Sequence, residues 1–478
     1  MNITIYVCDF SISGFEEDFV TSSSEQHLSD VLAACNANQD RDLSDLFTLL
    51  SQPSISTQNI GVRECAELVK GLLEQAGLTT RLIESSGHPF VFGEYPAPAG
   101  APTILFYGHY DVQPPDPLEA WVSPPFEPAI RNGRIYARGV GDNKGQFFAH
   151  IAALRAWHET TGGFPVGVKF LAEGEEECGS PHIEAFVKSN TGLLDCDLVY
   201  TSDGPMLDDD APTIEYGVRG MVYVELRAKG ASHDLHSGNW GGLVPNPAWT
   251  LTHLLATMFS PEGEILIDGF HDDIIPVSPA GKAAMNRLKL DQQASLASVG
   301  VQKLPAPEGV SYFSRTMERP TCNIAGFTSG YGGVGSKTII PAEAVVKMDF
   351  RLVPDQDPDD ILHKIEAHVR SHALGVEIIP MGGMRPSSTP LENRFVSVVR
   401  AAVKAGFGTE PVEIPIAGGS LPDAVWTKDL GRPSFLVPYA NRDEANHSPN
   451  ENLLLENFYA GIRTSAILLS QLATCKER

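Results

Sequence analysis

The amino-acid sequence predicts an α/β protein: an open mixed sheet flanked by helices, interrupted by an inserted α+β domain. Three observations carry that expectation. Apolar runs of strand length alternate with segments of helical period between residues 59 and 201. Three of those strands run directly into His, Asp or Glu. From about Ile214 the texture changes to strands in which apolar and polar residues alternate strictly, and it reverts near Ser387. The expected organisation is an N-terminal extension (1–40), a larger domain in two parts (41–213 and 388–478), and an inserted domain (214–387).

In chain order, residues 1 to about 40 are polar, lack sustained periodicity, and read as a loosely attached extension. From Asn59 to Gln75 the pattern is helical, with Val62, Cys65, Leu68, Val69, Leu72 and Leu73 on one face and Gly77 as the C-terminal stop. A strand over Ile104–Tyr107 ends in Gly108-His109-Tyr110-Asp111. Residues i and i+2 of extended backbone project to one side, so Asp111 can hold one ring nitrogen of His109 and fix its tautomer. Glycines then crowd Asp142 in Arg138-Gly-Val-Gly-Asp142-Asn-Lys-Gly145, and helical period resumes with Phe147, Phe148, Ile151, Leu154 and Trp157. Asp142 therefore lies at a helix N-terminus, where an anion is favoured.

The strand Val166–Ala172 runs into Glu173-Gly-Glu175-Glu176-Glu177-Cys-Gly-Ser, and the strand Asp197–Thr201 delivers Asp203. Four carboxylates in five residues at a strand end repel one another, and a cation relieves the repulsion. In the inserted domain, Val222, Val224 and Leu226 alternate with Tyr223, Glu225 and Arg227. Val346, Met348, Phe350 and Leu352 alternate in the same way with Lys347, Asp349 and Arg351. Helices open at Asn246-Pro247 and near Asp359. The chain closes with a helix from Arg394 to Ala405, the turn Gly418-Gly419-Ser420, the segment Asn446-His447-Ser-Pro-Asn-Glu451 and a helix over 453–472.

The composition excludes several classes of function. A net charge of −25 argues against nucleic acid and anionic membrane as partners, because both demand basic patches. Seven cysteines without C-x-x-C spacing suit free thiols in a reducing compartment, and no run reaches the length of a membrane span. The expectation is a soluble, cytoplasmic protein.

His109, Asp142, Glu176, Glu177, Asp203 and His447 make up the candidate constellation. Imidazoles and carboxylates suit Zn²⁺ or Mn²⁺. Five ligands exceed what one catalytic zinc with an open position uses, and they fit two metals sharing a carboxylate. Such a pair holds and acidifies a bridging water, and the Glu176–Glu177 pair can supply one ligand and one general base.

With these motifs in order, together with Asp234-Leu-His236-Ser-Gly, the chain resembles the M20 metallopeptidases, within them the dipeptidase branch that includes the carnosine dipeptidases. The resemblance covers about residues 42 to 470. It implies one metal on His109, Asp142 and Asp203 and a second on Asp142, Glu177 and His447. Glu176 would be the general base, Asp111 the partner of His109, and the Asp142–Asn143 peptide cis. The inserted domain would be a lid and dimerisation domain, with His236 reaching a partner subunit's site to stabilise the oxyanion. Arg351 would bind the substrate carboxylate, supported by Thr338 and Ser420. The implied activity is that of an exopeptidase hydrolysing dipeptides, working as a homodimer.

One departure concerns specificity: Pro415-Ile416-Ala417 stands where the carnosine dipeptidase type tends to carry charged residues. An alternative with the same metal site is an N-acyl or N-carbamoyl amino acid amidohydrolase. Gly330-Tyr-Gly-Gly-Val-Gly335 matches a nucleotide-binding pattern but lacks the strand–helix context, and it is expected to be a loop. His233 is read as a surface histidine, Cys178 as small and buried, and Asp208-Asp209-Asp210 as a solvated turn.

Overall fold

The computed structural model describes residues 23–475, apart from 208–210, 290–292, 294–295, 298 and 303–310. Helix α1 (Ser23–Ala37), which the sequence reading left outside the fold, belongs to it, and α2 (Gln39–Ser51) follows at the start of the larger domain. Val31 and Cys35 of α1 and Leu46, Leu49 and Leu50 of α2 are buried in the main core. Residues 23–40 are thus packed rather than loosely attached. Leu28, Val31, Leu32 and Cys35 form a stripe at helical spacing that a short polar segment conceals. Residues 1–22 of the expected extension, and the acidic triplet 208–210, lie outside the described residues.

Helix α3 (Val62–Gln75) buries the expected face, and Gly77 follows it at φ +91°. The strands β1 (Thr79–Ile83), β2 (Phe90–Tyr95) and β3 (Thr103–His109) come next, then the short hairpin β4 (Ala129–Arg131) and β5 (Arg134–Tyr136). Helix α4 (Lys144–Thr161) leads to β6 (Gly167–Glu173), β7 (Leu198–Thr201) and β8 (Thr213–Glu215). The insertion contributes β9 (Gly220–Lys229), β10 (Leu235–His236), β11 (Thr321–Ser329), β12 (Ile339–Ile340), β13 (Glu343–Leu352) and β14 (Glu377–Met384). The chain then supplies β15 (Val412–Ile414), β16 (Ser434–Leu436) and β17 (Asn452–Leu454).

Eight of these strands build a mixed sheet in the order β1-β2-β6-β3-β7-β16-β8-β15. Its centre, β6-β3-β7-β16, is parallel, so the carboxyl ends of these strands share one edge. Ile104 and Phe106 face the helical layer of α1–α4 and the helix Leu455–Leu472. Leu105 and Tyr107 face a second core that contains Phe90, Phe186 and Trp426. Burial on both faces explains the unbroken apolar run of β3.

A second sheet, β11-β13-β9-β14, has its own core. Val224 pairs with Met348, and these with Val222, Leu226 and Phe350 pack under the helices Pro247–Met258 and Pro358–His372. Asn246 caps the first of these helices and Asp357 the second. The alternation puts Arg351 on the opposite face. Strand β8 pairs with β15 in the large sheet, so the chain passes between sheets after Glu215, slightly beyond the expected boundary at 214. Among the described residues no helix is long and apolar enough to cross a membrane.

Candidate metal centre

Three strand ends converge at the carboxyl edge of the large sheet. Gly108 lets β3 approach α4 closely: a Cβ there would lie 2.7 Å from the Phe147 Cβ and 2.8 Å from the Asn143 Oδ1. His109 follows, fully buried, and its backbone N–H donates to the Asn143 Oδ1 at 3.3 Å. Its Nδ1 is 3.1 Å from the Asp111 backbone oxygen and 3.4 Å from the Asp111 Oδ1. The tautomer is therefore fixed mainly by the carbonyl of Asp111. The carboxylate of Asp111 accepts the backbone N–H groups of Glu176 (3.2 Å) and Glu177 (3.1 Å), and so anchors the acidic turn beside the histidine.

With Nδ1 donating, the lone pair of Nε2 points at the Asp142 Oδ1 (3.0 Å) and the Asp203 Oδ2 (3.6 Å). Nε2 is buried and makes no hydrogen bond among the described residues. Acceptor facing acceptors in a buried site calls for a positive charge between them. On the other side of Asp142, its Oδ2 lies 3.0 Å from the His447 Nε2, which is 3.2 Å from the Glu177 Oε2. Two ligand groups result, His109–Asp142–Asp203 and Asp142–Glu177–His447, the atoms of each within 4.8 Å of one another. Asp142 is common to both. The donor set of imidazole nitrogens and carboxylate oxygens fits a pair of divalent cations.

The electrostatics agree. Burial lowers the proton affinity of His109, but the carboxylates of Asp111 and Asp142 beside its ring overcome this and raise its pKa well above the ordinary value. Hydrogen bonds to Asp142 and Glu177 push His447 up to about 10. Burial and the charges of Asp142 and Glu177 outweigh His109 and push Asp203 up to about 7. Among protein groups alone, His109, His447 and Asp203 hold protons more tightly than usual, whereas at Asp142 the hydrogen bonds of His109 and His447 outweigh burial and lower the pKa.

Glu176 is half-buried beside this pair. Burial and the charges of Asp203, Asp142 and Glu177 raise its carboxyl well above the usual range, against the pull of His109. It lines a cavity of about 520 Å³ together with Asp142, Asp203, Glu215, Arg351 and Ser420. The Arg351 Nη1 donates to the Ser420 Oγ at 2.9 Å. His236 and Thr338 do not line this cavity. They lie on the exposed ribbon of β10 and β12, where the Ser237 N–H donates to the Thr338 oxygen at 3.0 Å.

Other expectations resolve as follows. The Asp142–Asn143 peptide is cis. Residues 330–335 form an exposed loop, and His233 is exposed. Cys178 is exposed rather than buried, because the short 3₁₀ turn Glu176–Cys178 aims Glu177 inward and leaves the next side chain outside. Partial burial and the charges of Asp111 and Glu175 push its thiol up to about 11, which keeps it protonated at neutral pH and disfavours a role as nucleophile.

Three supporting residues carried no assigned role in the sequence reading, although Glu451 and Asn143 lie inside its quoted motifs. Glu451 is fully buried and accepts from the Arg138 Nη1 (2.7 Å) and the backbone N–H groups of Gly139 (3.0 Å), Gly141 (2.8 Å) and Asp142 (2.9 Å). Gln113 donates from its Nε2 to the Glu177 Oε2 at 2.9 Å. Asn143 bridges β3 and the loop after β7 through the His109 N–H and the Ser202 oxygen. A fourth residue, Glu444, is buried against Gly141 with both carboxylate oxygens unpartnered among the described residues.

Comparison with known proteins places this geometry. The model of peptidase family M20/M25/M40 matches residues 105–471. The Cys-Gly metallodipeptidase dug1 of Schizosaccharomyces pombe is 30% identical over 398 residues, covering 81% of this chain and 83% of its own. The Beta-Ala-His dipeptidase of Homo sapiens is 28% identical over 394 residues, covering 80% of this chain and 78% of its own. The crystal structure of the M20 family metallo-carboxypeptidase Sso-CP2 from Sulfolobus solfataricus superposes with a TM-score of 0.84 at 35% identity, covering 91% of this chain and 99% of that one.

Proposed function

The chain belongs to peptidase family M20/M25/M40 and is a hydrolase acting on peptide bonds; from that premise we propose that it is a dinuclear metal-dependent exopeptidase that cleaves dipeptides. The observation that carries the proposal is the pair of ligand groups joined at Asp142, with the unpartnered Nε2 of His109 facing two carboxylates. His109, Asp142 and Asp203 would hold one ion, and Asp142, Glu177 and His447 the other, Zn²⁺ or Mn²⁺ by donor type. When bound, the metal pair supplies Lewis acidity for the amide carbonyl and lowers the pKa of a water.

The rest falls to the chain's own groups. Glu176, held by Asp111 at its backbone N–H, takes the proton from the attacking water and passes it to the leaving amine. Its raised proton affinity suits the second half of that shuttle. Arg351, oriented by Ser420, receives the carboxylate of the substrate. That places the C-terminal end of a short peptide against the wall of the cavity and accounts for exopeptidase rather than internal cleavage. His236 and Thr338, remote from their own cavity, serve the cavity of a second copy, with the domain over 214–387 as lid and dimer contact.

The test is a cleavage screen on protein reconstituted separately with Zn²⁺ and Mn²⁺, using free dipeptides, N-acetyl and N-carbamoyl amino acids and longer peptides. Cleavage of free dipeptides is the expected result. Turnover of N-blocked compounds alone would replace the dipeptidase reading with that of an amidohydrolase on the same site.

A further inference from the structure

The cavity beside the metal centre contains a charged side chain for which the mechanism above has no use. Four carboxylates line it, Asp142, Glu176, Asp203 and Glu215. The first three belong to the reaction centre. Glu215 does not: it ends β8, two strands away from β7, where its backbone pairs with Leu436 and Ile414. Its neighbours on that wall, Val218, Ala417, Leu421 and Leu436, are apolar. The side chain is partly buried, and it lines the cavity.

Among the described residues no basic side chain pairs with it, and burial raises its carboxyl above the usual range. A carboxylate held among apolar residues and other acids is destabilised unless a cation joins it. Arg351, the guanidinium in the same cavity, is engaged with Ser420 and Asp349. The cavity thus has a cationic position suited to a carboxylate and, apart from the reaction centre, one anionic position left open.

We propose that Glu215 is a specificity residue that receives a positively charged group on the residue N-terminal to the scissile bond. This inference rests on the dipeptidase reading. The chemistry is that of an ammonium or guanidinium, whether the free α-amine or a basic side chain.

Two substrate pairs separate these sources. Alanyl-leucine against propionyl-leucine differs only by the α-amine, and lysyl-leucine against norleucyl-leucine only by the side-chain cation. kcat/KM, or the inhibition constant where a compound is not cleaved, is measured for the wild type and Glu215→Gln. In the variant, discrimination in favour of the charged member is expected to fall roughly tenfold or more in one pair, through KM or Ki. Ala417→Lys, which places a cation on the same wall, is expected to act in the same direction and stands in if Glu215→Gln does not fold. Discrimination unchanged in both pairs, in a variant with the wild-type melting temperature, would overturn the proposal. Wild-type protein that cleaves propionyl-leucine but not alanyl-leucine would instead overturn the dipeptidase reading itself.

Discussion

Glu451→Gln is the most informative single substitution outside the ligands. Glu451 spends both carboxylate oxygens on four donors: Oε2 on Arg138 and Gly139, Oε1 on Gly141 and Asp142. Replacing one oxygen with an amide nitrogen sets N–H against N–H on one side, whichever way the amide is turned. If it faces Arg138, a guanidinium only 1% exposed loses its carboxylate. Breaking a buried pair in this way costs about 3–5 kcal/mol. If it faces Gly141 and Asp142, two buried amides are orphaned at about 1–3 kcal/mol each. Across the two orientations the loss is about 2–6 kcal/mol, read as a shift in the urea midpoint at unchanged slope. Because the Asp142 N–H is one of the four donors, affinity for the metals is expected to weaken by roughly 10- to 100-fold in a calorimetric titration. A stability loss below about 1 kcal/mol with unaltered metal affinity would refute the reasoning, because it would mean that the loop carrying Asp142 does not depend on this carboxylate.

The remaining predictions concern the site and its pH response. Glu176→Gln is expected to lower kcat by roughly 10²- to 10⁴-fold with little change in metal content, and unaltered turnover would remove Glu176 as the base. Asp142→Asn is expected to weaken the uptake of both metal ions, whereas His447→Ala weakens one, as read by metal analysis after dialysis; equal effects of the two changes would argue against a shared ligand. His236→Ala is expected to depress kcat without changing metal content, and a fully active monomer would exclude its action on a second copy. Burial pushes His150 down to about 3, with its Nδ1 2.8 Å from the Ser465 Oγ. Its folded pKa lies below the unfolded value of about 6.5, so the unfolded chain binds the extra proton and stability falls as pH drops from about 6.5 toward 3. The slope from this one group is about 1.4 kcal/mol per pH unit, and His150→Gln is expected to remove it from the pH dependence of the unfolding midpoint.

Much of the site was legible because its ligands end strands whose apolar runs are unmistakable. His109, Glu177 and Asp203 follow β3, β6 and β7 within a few residues, and the parallel order of those strands brings their ends together. The alternation in β9 and β13 likewise gave the face of Arg351. What local pattern did not carry were contacts made across the chain. Glu451 reads as one more acid in a polar segment until Gly139, Gly141 and Asp142 are set against it. The stripe on α1 is diluted by Ser, Asp and Gln, and its place in the core depends on what it packs against, not on its own composition. Glu215 looks like a polar residue in a short strand, and only the neighbours that β16 and β15 bring beside it reveal that no basic side chain among the described residues balances its charge.

The order of these residues along the chain has a consequence for biosynthesis. His109, Asp142, Glu176, Glu177 and Asp203 all precede the second sheet, whereas His447 and the Glu451 that fixes the Asp142 loop follow it. A nascent chain that has emerged only as far as the second sheet already presents the acidic cluster. It still lacks His447, one of the candidate metal ligands, and Glu451, the anchor of the Asp142 loop. Contacts of such long sequence separation form late, because loop closure must precede them. A peptide-cleaving centre assembled in this order stays incomplete until the segment that follows the second sheet has been made.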